Sequence, residues 1–128
     1  MSRVIVWYNP KCGTARNVRD YLNEHGIAFE LREYLEDVPT RAEIEAVLRG
    51  SGMTARDLLR AKEPLAREMG LTDPRVSEER LLSAMHANPI LINRPVVIDG
   101  KRAKLCRPSQ TIADFLPPPD LRGDGKAR

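Results

Sequence analysis

Val4-Ile5-Val6-Trp7-Tyr8-Asn9-Pro10-Lys11-Cys12-Gly13-Thr14-Ala15-Arg16-Asn17 is the stretch on which the fold turns. Val4 to Tyr8 is an unbroken apolar run, β-branched and aromatic, which suits a strand buried on both faces. Asn9-Pro10 ends it, and the period then changes. From about Gly13 to His25, Val18, Tyr21 and Leu22 fall on one helical face, and Gly26 supplies a C-terminal stop. Ile27 to Tyr34 reads as a second strand that alternates only roughly. Strand, helix and strand within about 30 residues form a βαβ unit, right-handed by strong precedent.

That unit puts Cys12 where the first strand hands over to the helix. A thiol there meets the unsatisfied N–H groups of a helix N-terminus, whose partial positive charge favours thiolate. Gly13 permits close approach of a ligand to the backbone, and the N–H groups around Thr14 and Ala15 suit an anion. Free cysteines are more often inert packing residues. Position, not residue type, marks Cys12 as the candidate nucleophile.

Working outward, the middle of the chain is helical. Thr40-Arg41-Ala42-Glu43 forms a capping box ahead of Ile44, Val47 and Leu48, and Gly50-Ser51-Gly52 is expected to break that helix. Thr54 caps a short helix carrying Leu58 and Leu59. Ser77 caps another, with Glu78 and Glu79 at its positive end and Leu81, Leu82 and Met85 facing inward. Pro95 to Ile98, Asp99-Gly100 and Lys101 to Leu105 then spell a hairpin with a two-residue turn. A last helix runs from about Ser109 to Leu116. The expected organisation is one domain over residues 1–116, followed by a loose Pro-rich tail over 117–128.

A turn at Asp99-Gly100 sets Ile98 opposite Lys101 and Arg94 opposite Leu105. Opposed residues share a face, as do residues two apart on one strand. Arg94, Leu105 and Arg107 therefore point one way and Cys106 the other. Diagonal neighbours lie about 7–8 Å apart, within reach of two guanidinium groups converging on one small anion. The prolines after both arginines favour extended backbone at Arg94 and Arg107. Cys106 reads as a small packing residue.

Composition narrows the remaining classes. The 128 residues carry a net charge of +3, and 16 of the 21 basic residues are arginine, the side chain suited to gripping oxyanions. Acidic and basic residues alternate and aromatics make up only 5%, so no basic, aromatic-laced surface for nucleic acid is evident. Two cysteines are too few for a secreted disulfide framework, and reduced thiols suit the cytoplasm. Neither a leader nor a membrane-spanning run is visible. His25 and His86 lack metal-ligand spacing with the cysteines.

With these features in hand, the chain resembles the arsenate reductases coupled to glutathione and glutaredoxin. The resemblance runs from Val4 to about Leu116. It is carried by Tyr8 to Asn17, Leu58-Leu59-Arg60, Pro89-Ile90-Leu91-Ile92-Asn93-Arg94-Pro95-Val96-Val97, and Leu105-Cys106-Arg107-Pro108-Ser109. It implies an α/β, thioredoxin-like fold: a four-stranded mixed sheet in the order β-α-β, helical insertion, β-β-α. It further implies that Cys12 attacks arsenate, that Arg60, Arg94 and Arg107 bind the oxyanion, and that Pro95 is cis. Gly13 and Thr14 complete the expected substrate site.

Family members often carry His where this chain has Tyr8, so activation of Cys12 is expected to rest on the helix end and the arginines. No cofactor is expected to stay bound. Position 15 is Ala, so a local Cys-x-x-Cys disulfide is not available, and glutathione followed by glutaredoxin is the implied thiol source. A monomer is expected.

Three rival readings fit less well. A phosphatase-type loop needs Arg six positions after the cysteine, where this chain has Val18. A general thiol oxidoreductase acting on another substrate is at odds with the single candidate thiol and the three arginines. A non-enzymatic regulator of the same fold that binds RNA polymerase typically carries the Cys-x-x-Cys switch that Ala15 removes.

Overall fold

The structure, a computed structural model, describes residues 3–118. Elements follow in the order β1 (Val4–Tyr8), α1 (Gly13–Glu24), β2 (Glu30–Glu33), α2 (Arg41–Ser51), α3 (Ala55–Leu58), α4 (Pro64–Glu68), α5 (Glu78–Ala87), a 3-10 turn (Pro89–Leu91), β3 (Val96–Asp99), β4 (Arg102–Leu105) and α6 (Thr111–Phe115). The strands form one mixed sheet in the order β2-β1-β3-β4. β1 runs parallel to β2 and antiparallel to β3, and β3 runs antiparallel to β4. This is the expected thioredoxin-like arrangement. The expected loose tail lies, from Pro119 onward, outside the described residues.

Alternation along β1 divides the interior. Val4, Val6 and Tyr8 enter one apolar cluster with Val18 and Leu22 of α1 and Ile112 of α6. Trp7 enters the other, with Ile44 and Val47 of α2, Leu58 of α3 and Met85 of α5. Burying a large apolar side chain contributes about 1.5–3 kcal/mol, so a central strand filled on both faces anchors both layers. No helix among the described residues is long and apolar enough to cross a membrane.

Several expectations need correction. β2 is shorter than the expected Ile27–Tyr34 span. The Ile27 N–H is spent closing α1, bonding the Leu22 carbonyl at 3.0 Å while Gly26 bonds Asn23. That paired closure ties Ile27 to the helix end and keeps it out of the ladder. The expected stop at Gly50-Ser51-Gly52 falls at its last residue: α2 continues through Gly50 to Ser51 and ends at Gly52 in the left-handed conformation. A Cβ at Gly50 would overlap the Lys101 carbonyl, so the glycine lets the helix lie directly on the β3–β4 turn. The short α4, begun by Pro64, and the 3-10 turn at Pro89 lie outside the expected elements.

The hairpin is also shifted. Asp99 pairs with Arg102 and Ile98 with Ala103, so the turn residues are Gly100-Lys101 rather than Asp99-Gly100. Gly100 takes φ 65°, as the first central residue of such turns demands. Asp99 stays in the strand, where Arg3 at 2.8 Å and Arg102 at 3.0 Å satisfy its carboxylate. Leu105 therefore faces Val96, not Arg94. The correction moves the pairing by two positions, which leaves every side chain on the face expected for it.

Candidate active site

The turn after β1 is built by Asn9. Its buried side chain accepts from the Lys11 N–H at 2.9 Å, and its carbonyl accepts from the Cys12 N–H at 2.9 Å. Pro10 fits the second position of such a turn because its φ is already set. Cys12 thereby becomes the N-terminal cap residue of α1, in extended conformation, with its carbonyl accepting from the Arg16 N–H at 3.1 Å. No side-chain oxygen caps the helix, so the N–H groups of Gly13 and Thr14 in its first turn stay available to an anion. Gly13 itself is permissive: a Cβ there would meet only the end of Arg16, at ordinary contact distance.

Arg94 and Arg107 converge on this thiol. The Arg107 Nη1 approaches Cys12 Sγ at 3.7 Å and also donates to the Arg94 carbonyl at 2.9 Å. Burial pushes the Cys12 thiol up, but the Ala15 N–H and the guanidinium groups of Arg94 and Arg107 outweigh it and hold the thiol below its ordinary value. Arg94 carries the other notable feature. Its Nε and Nη1 are buried and have no hydrogen-bond partner. An unsatisfied buried donor costs about 1–3 kcal/mol, so two of them on one charged group beside a thiol form a site prepared for an anionic acceptor.

Arg60 is not part of this cluster. Its N–H bonds the Leu91 carbonyl at 2.7 Å, while its guanidinium pairs with Glu63 at 3.8 Å. Among the described residues no hydrogen bond or ion pair joins Arg60 to Cys12, Arg94 or Arg107. Sequence reasoning missed the competing Glu63, although an acid three positions on from Arg60 was there to be read.

Tyr8 enters the apolar cluster under α1, and its hydroxyl accepts from Arg19 at 2.8 Å. The groups that act on Cys12 are the helix end and the two arginines, as expected without a histidine at position 8. Cys106 is fully buried in the same cluster, and burial pushes its thiol up to about 12. It is therefore a packing residue. Both Arg94–Pro95 and Arg107–Pro108 are cis, the first as the resemblance implies.

The model of the ArsC family matches residues 7–115. Among known proteins, an arsenate reductase of Rhizobium meliloti (strain 1021) is 43% identical, the match covering 97% of this chain and 91% of that protein. The arsenate reductase of Escherichia coli (strain K12) is 37% identical over 91% of this chain and 83% of its own length. A solved structure, the arsenate reductase from Vibrio cholerae, superimposes with a TM-score of 0.83 at 33% identity. That superposition covers 88% of this chain and 97% of that one.

Proposed function

Because the chain belongs to the ArsC family, we propose that it reduces arsenate to arsenite, with Cys12 as the nucleophile. The observation that carries the reading is the pair of buried, unpartnered Arg94 donors beside a thiol that is itself held toward thiolate. Arsenate is a tetrahedral oxyanion shaped like phosphate, so guanidinium forks and helix N–H groups are suitable ligands for it. Arg94, Arg107 and the N–H groups of Gly13 and Thr14 are its assigned contacts. Arg60 joins them once its guanidinium leaves Glu63.

The Cys12 thiolate attacks arsenic, an S–As bond forms, and an arsenate oxygen leaves as water with protons drawn from the hydrogen-bonded substrate and solvent. Arg94 and Arg107 stabilise the charge that builds on the remaining oxygens. Reduction then needs a second thiol. Attack of glutathione on the Cys12 sulfur breaks the S–As bond and leaves both electrons on arsenic as arsenite. Cys12 and glutathione are left joined in a disulfide, which glutaredoxin reduces.

The outside thiol follows from this chain's own residues. Position 15 is Ala, and Cys106 is buried and protonated. No cofactor need stay bound, and the reading is of a cytoplasmic monomer. The test is arsenate-dependent NADPH oxidation with glutathione, glutaredoxin and glutathione reductase. Turnover in the wild type that vanishes in Cys12→Ser is the expected result. No turnover in a wild type whose Cys12 still alkylates readily at neutral pH overturns the assignment.

A further inference from the structure

One step beyond the paired residues, the sheet gathers four side chains. β1 and β2 pair Tyr8 with Glu33; Tyr34, the next residue, opens the turn that leaves β2 and packs in the same apolar cluster as Trp7 and Val96. β1 and β3 pair Trp7 with Val96, so Asn9 comes opposite Arg94. β3 and β4 pair Val96 with Leu105, and the Cys106 N–H bonding the Pro95 carbonyl at 2.9 Å carries the ladder outward, bringing Arg94 opposite Arg107. Opposed residues share a face, so Asn9, Arg94 and Arg107 line one edge of one face, at the end of β1 from which Cys12 follows, and Tyr34 packs on that same face.

Asn9 shapes the turn, and the two arginines face the thiol. Tyr34 is the member with no role so far. It is wholly buried, and its hydroxyl donates to the Ile92 carbonyl at 3.4 Å. That carbonyl lies two residues before Arg94, so the bond holds the phenol beside the start of β3, where Asn9 and Arg94 act on it; burial outweighs them and pushes the phenol up, so it stays protonated at neutral pH. A phenol that donates to a carbonyl keeps lone pairs free to accept from a guanidinium N–H.

We infer that Tyr34 is a positioning residue: its hydroxyl steadies the Arg94 guanidinium so that Nε and Nη1 stay turned toward the oxyanion. The inference rests on the proposed role of Arg94 as an oxyanion ligand. A neutral oxygen suits this task better than a carboxylate, because it orients the guanidinium without cancelling the charge the anion needs. Glu63 on Arg60 is the contrasting case in the same molecule. Among the described residues Arg94 has no ion pair.

The test is Tyr34→Phe, which keeps the ring and removes only the hydroxyl. KM for arsenate should rise about tenfold with kcat changed less than about twofold, the loss of one hydrogen bond to a charged group. The pH midpoint of Cys12 alkylation by iodoacetamide should move upward, because a wandering Arg94 supports the thiolate less well. In an Arg94→Ala background the same Tyr34→Phe change should alter KM by less than about twofold, since Tyr34 acts through Arg94. An unmoved KM and alkylation profile overturns the inference, and so does an equal KM increase in both backgrounds. A wild type with no arsenate turnover defeats the proposed function instead. The alkylation profile needs no arsenate and still decides whether Tyr34 controls Arg94.

Discussion

Replacing Arg94 by Met should make the resting protein more stable and a far poorer catalyst. The substitution keeps a long unbranched side chain and removes two buried donors that have no partner. At about 1–3 kcal/mol each, those two donors cost about 2–6 kcal/mol in the resting protein. The guanidinium's favourable interactions with Cys12 and Tyr34 are lost in exchange, together about 1–3 kcal/mol. At mid-range the balance is a stabilisation of about 2 kcal/mol, or about 6–10 °C in Tm for a chain of this size. Activity moves the other way: two charge-assisted bonds to the oxyanion are worth about 3 kcal/mol or more, so kcat/KM should fall at least about 100-fold. Urea and thermal unfolding in buffer free of phosphate, sulfate and arsenate would measure the first effect. Adding arsenate should narrow the gap, because only the wild type gains stability from binding it. An Arg94→Met protein that melts below the wild type in anion-free buffer refutes the reasoning, since Arg94 would then be satisfied at rest.

Three further outcomes can be measured directly. Cys12 alkylation should titrate below the ordinary thiol range, and Arg107→Ala should shift its midpoint upward. Because the folded value is lowered, the stability that Cys12 ionisation adds is complete above the unfolded thiol value of about 8.5 and is lost as pH falls through the folded value. Cys106 should resist alkylation until the protein unfolds, and Cys106→Ala should retain turnover while losing about 1–2 kcal/mol of stability in urea unfolding. Gly50→Ala should be severely destabilising, by about 3 kcal/mol or more, because the new methyl meets the Lys101 backbone; a denaturation midpoint near that of the wild type would show that α2 can shift away at little cost.

What could be read from the chain was local. Val4 to Tyr8 announces a buried strand through its composition. Thr40, Thr54 and Ser77 announce helix starts through a capping chemistry completed within a few residues, and all three side chains accept the expected bond. Cys12 could be placed because the strand and helix flanking it are both locally encoded. The hairpin partly escaped, since Asp-Gly is a turn signal whichever strand partner claims the aspartate, and Arg3 and Arg102 claim it here. Within Gly50-Ser51-Gly52 only Gly52 ends the helix, and the separate use of Gly50 was hidden because nothing nearby in the sequence reveals that Lys101 lies against it. Tyr34 gave no signal, since its value depends on residues that the ends of four separate strands bring together.

That convergence bears on how the chain can change in length. The Gly100-Lys101 turn is exposed and about 20 Å along the strand from Arg94, six residues at strand spacing. Such surface turns ordinarily accept an added or deleted residue. Here a single-residue insertion that slipped β4 against β3 would send Arg107 to the opposite face and bring a neighbour, Cys106 or Pro108, onto the face of Arg94. Homologous lineages should therefore vary at Lys101 more than at Gly100, whose positive φ the turn needs, and scarcely at all in the number of turn residues; a length change there should coincide with loss of the distant arginine's function.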